Sequence, residues 1–180
     1  DPLEIPLEAQ GMATFGSNHL DGSEERLVAH ELAHQWFGNS LTATSWQDIW
    51  LHEGFACYAE WLWSHASGGR SADDQARTAH TRLAALPQDI VIGEPTQELM
   101  FDDRLYKRGA LTLHALRRTV GDEVFFDTLR AWTAQFRHGG VSTPQLVSLA
   151  SRMAGRPLDE LFDAWLFAAP LPALPVTVRA

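Results

Sequence analysis

Apolar and polar residues alternate with two different periods along this chain, and together they predict a mainly α-helical domain with a short strand at its start. Residues 3–8 alternate Leu, Ile and Leu with Glu, Pro and Glu, which is the two-residue period of a β-strand. Pro6 has no backbone N–H to donate to a neighbouring strand. We therefore expect this strand at an edge of the structure or beside a cleft.

A helical period dominates the rest of the sequence. Asp21 is a candidate N-cap for a first helix, which runs to Phe37 and ends at Gly38. Thr143 and Pro144 predict the N-cap and first turn of a later helix. The other predicted helices cover about 47–65, 71–87, 103–119, 121–137 and 157–168, and the longest irregular stretch is 87–102.

Composition narrows the class of protein. The chain has 180 residues and is 45% hydrophobic, which is enough for a buried core and excludes a disordered chain. Its 14 basic and 23 acidic residues give a net charge of −9, which would repel a nucleic acid, so no nucleic-acid partner is expected. Cys57 is the only cysteine, which excludes a disulfide framework. No apolar run approaches the roughly 20 residues of a membrane span.

The most informative segment is His30-Glu31-Leu32-Ala33-His34. Helical residues four positions apart lie about 40° apart around the axis and about 6 Å along it. Two imidazoles at that spacing can bind one zinc ion. Glu31 lies on the adjoining flank, where its carboxylate can act on a water molecule at the metal without displacing a ligand.

A catalytic zinc site usually has three protein ligands, so a third is expected nearby in the fold. Glu53 follows His34 after a segment long enough to end one helix, turn and begin an antiparallel one. Asp48 and Glu60 are alternatives on spacing alone. Trp46 and Trp50 are expected to bury the second helix and so to hold the third ligand still.

Two segments resemble the zinc signature of the aminopeptidase N-like family of zinc metallopeptidases, the gluzincin aminopeptidases. They are HELAHQWFGN, which begins at His30, and WLHEGFA, which ends at Ala56. The resemblance implies zinc on His30, His34 and Glu53, one ion per chain, with Glu31 as the general base. His52 departs from the family, which commonly has Asn there. Its side chain could contact a ligand, lie at the surface or be a fourth ligand.

Two further matches extend the resemblance. The segment from Leu105 to Ala110 is similar to a family helix start that contains a tyrosine. There the phenol donates a hydrogen bond to the oxyanion of the tetrahedral intermediate, which implies that role for Tyr106. Segment 6–10 resembles a degenerate form of the family's Gly-Ala-Met-Glu-Asn strand. By this resemblance Glu8 binds the α-ammonium group of a peptide, whose backbone pairs with the strand.

The resemblance covers nearly the whole chain and implies the helical, zinc-bearing part of a thermolysin-like catalytic domain. We interpret residues 1–180 as a single partial catalytic domain that adjoins other domains of a longer chain. Its parts are an edge strand and loop at 1–20, a zinc-binding helix pair at 21–65, a helical remainder at 71–168 and an exit segment at 169–180.

The sequence thus predicts a zinc-dependent aminopeptidase that hydrolyses the first peptide bond of a peptide with a free amino terminus. Two alternatives stay open. One is a related zinc hydrolase with endopeptidase or other activity, which would lack amine recognition. The other is a zinc-binding fragment that has no activity without the rest of the catalytic domain.

Overall fold

Helices make up most of the structure, as the hydrophobic pattern predicts. The computed structural model describes residues 1–176. Within this range the helices are α1 Glu25–Ala33, α2 Trp50–Ala66, α3 Ala72–Ala84, α4 Asp103–Val120, α5 Asp122–Gln135, α6 Thr143–Ala154 and α7 Asp159–Phe162, which continues as a π-helical turn, Asp163–Phe167. The strands are β1 Leu7–Ala9, β2 Met12–Thr14, β3 Leu41–Ala43 and β4 Gly139–Val141. The prediction of a mainly α fold with a short amino-terminal strand is confirmed.

The strands differ in detail from the predicted one. The β-structure begins at Leu7, after Pro6, so the strand predicted over residues 3–8 is shorter than expected. It pairs in antiparallel register with β2, Leu7 opposite Thr14 and Ala9 opposite Met12. Strand β3 pairs in parallel with β4 across a large part of the sequence. Neither β2 nor the β3–β4 pair was predicted, because three-residue strands carry too little alternation to detect.

Several helix ends also lie elsewhere than predicted. A 3₁₀ turn over Gly22–Glu24 precedes α1, so Asp21 is not the N-cap of the α-helix, and α1 ends at Ala33 instead of Phe37. Helix α6 is capped by Ser142, not Thr143, because Ser142 and Gln145 form a reciprocal capping box. These shifts keep His30 and His34 one helical turn apart, since the backbone of His34 is still helical.

Helices α2 and α4 form the centre of the core, and they cross at two glycines. A Cβ atom on Gly54 would lie 2.9 Å from the Cα of Gly109, and one on Gly109 would lie 2.8 Å from the Cα of Gly54. Such distances are below ordinary contact, so only glycine permits the two backbones to approach so closely. The crossing lies next to Glu53 on α2 and close to Tyr106 on α4, and it therefore fixes their relative positions.

The irregular stretch 87–102 and the chain after α7 are anchored to α4 by one buried side chain. The guanidinium of Arg108 donates hydrogen bonds to the carbonyl groups of Ile90 at 3.2 Å, Trp165 at 2.8 Å and Ala169 at 2.7 Å. Burial lowers its pKa from the usual value. Arg108 therefore attaches two irregular segments to the helix that carries Tyr106.

No helix within residues 1–176 is long and apolar enough to cross a membrane. The exit segment expected at 169–180 has no regular secondary structure as far as residue 176. Residues 177–180 lie outside the described part of the chain.

Candidate metal centre

Two buried imidazoles from α1 form the first part of the site. His30 lies in the last turn of α1, and His34 is the residue that caps it, with φ −60° and ψ −20°. Their rings meet edge to face with centroids 4.8 Å apart. Both side chains are buried, 8% and 2% exposed. The four-residue spacing thus places two ring nitrogens on one side of the helix.

Glu53, in the first turn of α2, brings a carboxylate to both rings. Its Oε2 atom lies 3.4 Å from His30 Nε2 and 3.5 Å from His34 Nε2. Within residues 1–176, these three side chains are the one group whose candidate ligand atoms could hold a metal ion together. Spacing alone did not separate Glu53 from Asp48 and Glu60, but the fold brings Glu53 to the Nε2 atoms.

The other two acids have different contacts. Glu60 Oε1 lies 2.8 Å from His30 Nδ1, the nitrogen on the far side of the ring. Asp48 Oδ1 accepts hydrogen bonds from the backbone N–H of Thr143 at 2.9 Å and from its hydroxyl at 2.6 Å. Glu60 therefore orients a histidine, whereas Asp48 joins the start of α6 to the start of α2.

Both histidines are oriented through their Nδ1 atoms. The Nδ1–H of His34 donates to the carbonyl of Phe37 at 3.0 Å, as that of His30 donates to Glu60. A hydrogen bond to Nδ1 fixes the ring and leaves Nε2 as the basic nitrogen, which is the usual arrangement around a metal-binding histidine. Neither contact was predicted from the sequence, although the spacing of seven residues between Glu53 and Glu60 places both carboxylates on one helix face.

The donor set fits a zinc ion. Two imidazole nitrogens and one carboxylate oxygen are a common ligand set for catalytic zinc. Bonds of about 2.0–2.1 Å in a tetrahedron place neighbouring ligand atoms about 3.3–3.4 Å apart. The distances of 3.4 and 3.5 Å from Glu53 Oε2 to the two Nε2 atoms match that separation. The carboxylate therefore already lies at the separation from each imidazole nitrogen that a shared zinc ion requires.

The charges around the imidazoles favour a cation. Burial lowers the pKa of His30, but hydrogen bonds to Glu53 and Glu60 outweigh burial and raise it to about 9. Burial raises the pKa of Glu53, but hydrogen bonds from His30 and His34 outweigh burial and lower it to about 2. The Glu53 carboxylate is thus ionised throughout the neutral range, ready to bind a metal.

Glu31 is buried beside the histidines without a complete set of hydrogen bonds. It is 4% exposed, and its Oε2 has no hydrogen-bond partner among the described residues. Burial raises the pKa of Glu31, His30 and His34 oppose this shift, and the carboxylates of Glu8 and Glu53 add to it. A buried carboxylate with a raised pKa and a free oxygen is suited to accept a proton.

Tyr106 lies on the α4 side of the site. Its ring stacks on that of His30 with centroids 6.1 Å apart and planes 15° apart. Burial, followed by the charge of Glu53 and a hydrogen bond to it, raises the pKa of the Tyr106 phenol well above its usual range. The hydroxyl therefore keeps its proton at neutral pH and can donate it in a hydrogen bond.

Glu8 lies on the exposed strand β1, close enough for its charge to raise the pKa of both Glu31 and Tyr106. It does not belong to the group of candidate metal ligands. The structure thus brings together His30, His34 and Glu53 directly, with Glu31 and Tyr106 beside them, and places Glu8 at the rim.

Two neighbouring side chains have structural contacts. His52 Nε2 accepts a hydrogen bond from the backbone N–H of Ala43 at 2.8 Å, so His52 joins the start of α2 to β3. Trp50 is fully buried and donates from Nε1 to the hydroxyl of Thr143 at 2.8 Å. The expectation that Trp46 also buries α2 is wrong, because Trp46 lies in a 3₁₀ turn before the helix and is 66% exposed.

Comparisons with known proteins agree with this geometry. Residues 15–165 match the Peptidase family M1 domain. Aminopeptidase N of Lactococcus lactis subsp. lactis is 31% identical over 160 residues, which are 78% of this chain and 18% of that protein. The probable aminopeptidase 1 of Saccharolobus solfataricus is 32% identical over 156 residues, again 78% of this chain and 19% of that protein.

Solved structures extend the likeness to the fold. The crystal structure of the M1 zinc metallopeptidase from Deinococcus radiodurans superposes with a TM-score of 0.89 and 38% identity, over 99% of this chain and 40% of that one. Native leukotriene A4 hydrolase from Saccharomyces cerevisiae, at 22% identity and a TM-score of 0.78 over 97% of this chain and 31% of that one, shares the fold. The chain thus spans about a fifth of the length of the curated relatives and two fifths of the Deinococcus structure.

The resemblance seen in the two signature segments is therefore confirmed over most of the chain. The match to the family domain contains all the candidate residues on α1, α2 and α4, while Glu8 precedes it. The two relatives described above are aminopeptidases by name, and the solved structures at 37–38% identity are zinc metallopeptidases. This chain belongs to peptidase family M1, a family of zinc metallopeptidases.

Proposed function

We propose that this chain is the zinc-binding part of a metallo-aminopeptidase that hydrolyses the first peptide bond of a peptide with a free amino terminus. The observation that carries the proposal is the convergence of His30, His34 and Glu53 on one point, with the buried Glu31 carboxylate beside them. One zinc ion per chain would be held by these three ligands, and residues 1–180 would form one partial catalytic domain.

Zinc at this site would supply a Lewis acid, which polarises a carbonyl oxygen and acidifies a water molecule. Glu31 is the base in our proposal. Its carboxylate takes a proton from the attacking water and delivers it to the nitrogen of the departing amine, so the proton is conserved across the two steps. The free Oε2 atom and the raised pKa of Glu31 both favour this role.

Tyr106 stabilises the charge that develops on the substrate. As the scissile carbonyl carbon is attacked, its oxygen gains negative charge, and a preorganised O–H donor lowers the energy of that state. The raised pKa of Tyr106 keeps the phenol neutral, so it donates a hydrogen bond without competing with Glu53 for a metal ion.

Glu8 supplies the specificity for a free amino terminus. Its carboxylate, on an exposed strand at the rim of the site, would pair with the α-ammonium group of the substrate. The exposed backbone of β1 would pair with the peptide as an added strand. A substrate whose amino group is acylated has no positive charge at this point, and the enzyme would discriminate against it.

The test uses the zinc-loaded protein with leucine p-nitroanilide and its N-acetyl derivative as substrates. We expect one equivalent of zinc, hydrolysis of the free amine and little hydrolysis of the acetylated compound. Glu31→Gln should keep the zinc and lower kcat by about 100- to 10,000-fold, the usual contribution of a general base. Glu25→Gln, an exposed position on the same helix, is the matched control and should behave as wild type.

Three results would contradict the proposal in different ways. Full activity of Glu31→Gln would remove Glu31 as the base. Equal hydrolysis of both substrates would indicate an endopeptidase or another hydrolase without amine recognition. Stoichiometric zinc with no turnover of either substrate would indicate a zinc-binding fragment without catalysis of its own.

A further inference from the structure

The hairpin formed by β1, β2 and their turn, residues 7–14, has little packing of its own to hold it. Each strand has only three residues, and every residue of β1 is exposed. Leu7 is 53% exposed and Met12 61%. A two-stranded hairpin is marginally stable by itself in water. Its position beside the metal centre must therefore depend on contacts outside the two strands.

The turn of this hairpin is held by one side chain, that of Gln35, which lies two residues after the end of α1. The Nε2 of Gln35 donates to the carbonyl of Ala9 at 2.9 Å, and its Oε1 accepts from the backbone N–H of Gly11 at 2.8 Å. Gly11 has φ +79°, a conformation in which glycine is favoured and which shapes the turn. Because both ends of one amide are engaged, the contact fixes the orientation of the turn as well as its distance.

Gln35 lies in the sequence next to a proposed zinc ligand. It follows His34 directly, and its backbone N–H donates to the carbonyl of Leu32 at 3.1 Å, so it is attached to the rigid end of α1. At the other end of the contact, Ala9 follows Glu8 directly. One of the two hydrogen bonds thus connects Gln35, the residue after a proposed zinc ligand, with Ala9, the residue after the proposed ammonium-binding carboxylate. The other connects Gln35 with Gly11 in the turn.

We propose that Gln35 is a positioning residue for substrate recognition: its amide holds the hairpin turn so that Glu8 faces the metal centre at the distance of a peptide's amino terminus. This inference rests on the proposed function. Gln35 acts through Glu8 and touches neither the substrate nor the metal. Its removal should weaken recognition of the amino group and leave zinc binding and the chemical step nearly unchanged.

The experiment compares Gln35→Met with wild type and with Gln10→Met. Methionine is close in length to glutamine but makes neither hydrogen bond. Gln10 lies in the same turn with an exposed side chain, so it is the matched control. KM and kcat for leucine p-nitroanilide and its N-acetyl derivative, zinc content, and hydrogen exchange of the Gly11 amide would be measured for each protein.

For Gln35→Met we expect KM for the free amine to rise about five- to tenfold, as the loss of two modest hydrogen bonds implies, with kcat within about twofold. The acetylated substrate and zinc content should be unaffected, and the Gly11 amide should exchange faster. Gln35→Glu keeps the acceptor for Gly11 but not the donor to Ala9, and it should preserve most of the Gly11 protection. Gln10→Met should match wild type throughout.

Unchanged discrimination between the two substrates in Gln35→Met would overturn the inference, and so would a loss of zinc, which would assign Gln35 to the metal helix. Failure of the proposed function gives a different pattern. If wild type itself does not distinguish the two substrates, Glu8 has no role in amine recognition. Hydrogen exchange of Gly11 then still decides whether Gln35 holds the hairpin.

Discussion

The two sides of the proposed site are held in place by different forces. On one side, Glu53 and Tyr106 lie on α2 and α4, whose backbones touch at Gly54 and Gly109 deep in the core. On the other side, Glu8 lies on an exposed three-residue strand that side-chain amides attach to the rest of the protein. Close packing fixes the first side, and hydrogen bonds in contact with solvent fix the second.

The two sides therefore differ in how firmly they hold their functional side chains in position. A backbone-to-backbone crossing in a close-packed core has no alternative arrangement of similar energy, so it is suited to place metal ligands and the Tyr106 hydroxyl. Hydrogen bonds in contact with water contribute less net free energy and open more readily. They suit a strand that, in our proposal, pairs with substrates of different sequence. Substitutions on the packed side should therefore affect folding and metal binding, and those on the hairpin side should affect recognition.

The largest effect is expected at the helix crossing. Gly109→Ala places a methyl group 2.8 Å from the backbone of Gly54, and neither backbone can move aside easily. We expect a loss of about 3 kcal/mol in the free energy of unfolding, roughly a 150-fold change in the folding equilibrium, even after the better helix propensity of alanine. Urea unfolding would measure this loss. Gly22→Ala, where a Cβ meets no other atom within 4 Å, is the control and should be nearly neutral.

A Gly109→Ala protein as stable as wild type would contradict this view of the packed side. It would show that α2 and α4 can move apart without loss of stability. The same preparation gives a second measurement. If the crossing sets the positions of Glu53 and Tyr106, zinc affinity and kcat should fall together in the folded fraction. Discrimination between free and acetylated amines should change less.

A smaller effect is expected behind the metal ligands. Glu60→Gln removes the negative charge that faces His30 Nδ1 at 2.8 Å but keeps an oxygen able to accept its hydrogen bond. Loss of such a carboxylate behind a histidine typically weakens metal binding, and we expect about a tenfold fall in zinc affinity. Competition with a chelator would measure it, and Glu25→Gln is again the control. An unchanged zinc affinity would show that Glu60 does not contribute to metal binding and that the three ligands alone determine it.

The smallest effect is expected at the open end of the hairpin. The side-chain amide of Asn18 accepts from the N–H of Leu3 and donates to its carbonyl, both at 2.9 Å. Because these bonds are exposed, Asn18→Ala should lower global stability by less than about 1 kcal/mol. Hydrogen exchange at Leu3 should nevertheless become faster, while zinc affinity stays the same. A fall in zinc affinity would show that the two sides of the site are coupled.

Much of the fold could be predicted from local pattern, because helix periodicity and helix-ending residues are local properties. The main α-helices lie where predicted, within a few residues at their ends. The exceptions depend on contacts between distant segments. Strands β3 and β4 pair only in the folded chain, and Gly139 and Gly140 look like a linker in the sequence. Ser142 is the N-cap of α6 through its capping box with Gln145, while the Thr143 hydroxyl bonds to the distant Asp48 and Trp50.

The candidate site likewise combines local features with contacts between distant segments. The spacing of His30, Glu31 and His34 is a local feature, and the sequence carries it without ambiguity. The choice among Asp48, Glu53 and Glu60 is not local, since each lies within reach of α1 by chain length alone. The fold separates them by their contacts. Glu53 lies beside the two Nε2 atoms, Glu60 beside the Nδ1 atom of His30, and Asp48 bonds to the start of α6.

The sequence by itself determined that this protein is mainly helical, that one helix presents two histidines and a glutamate at the spacing of a zinc peptidase, and that its segments resemble one family. These are properties of short segments, for which helix geometry is a sufficient guide. Only the tertiary structure decided which carboxylate faces the histidines, how Gly54 and Gly109 set the position of Tyr106, and that Gln35 holds the strand that carries Glu8. Each depends on atoms far apart in the chain, which only the packing of helices and loops brings within contact distance.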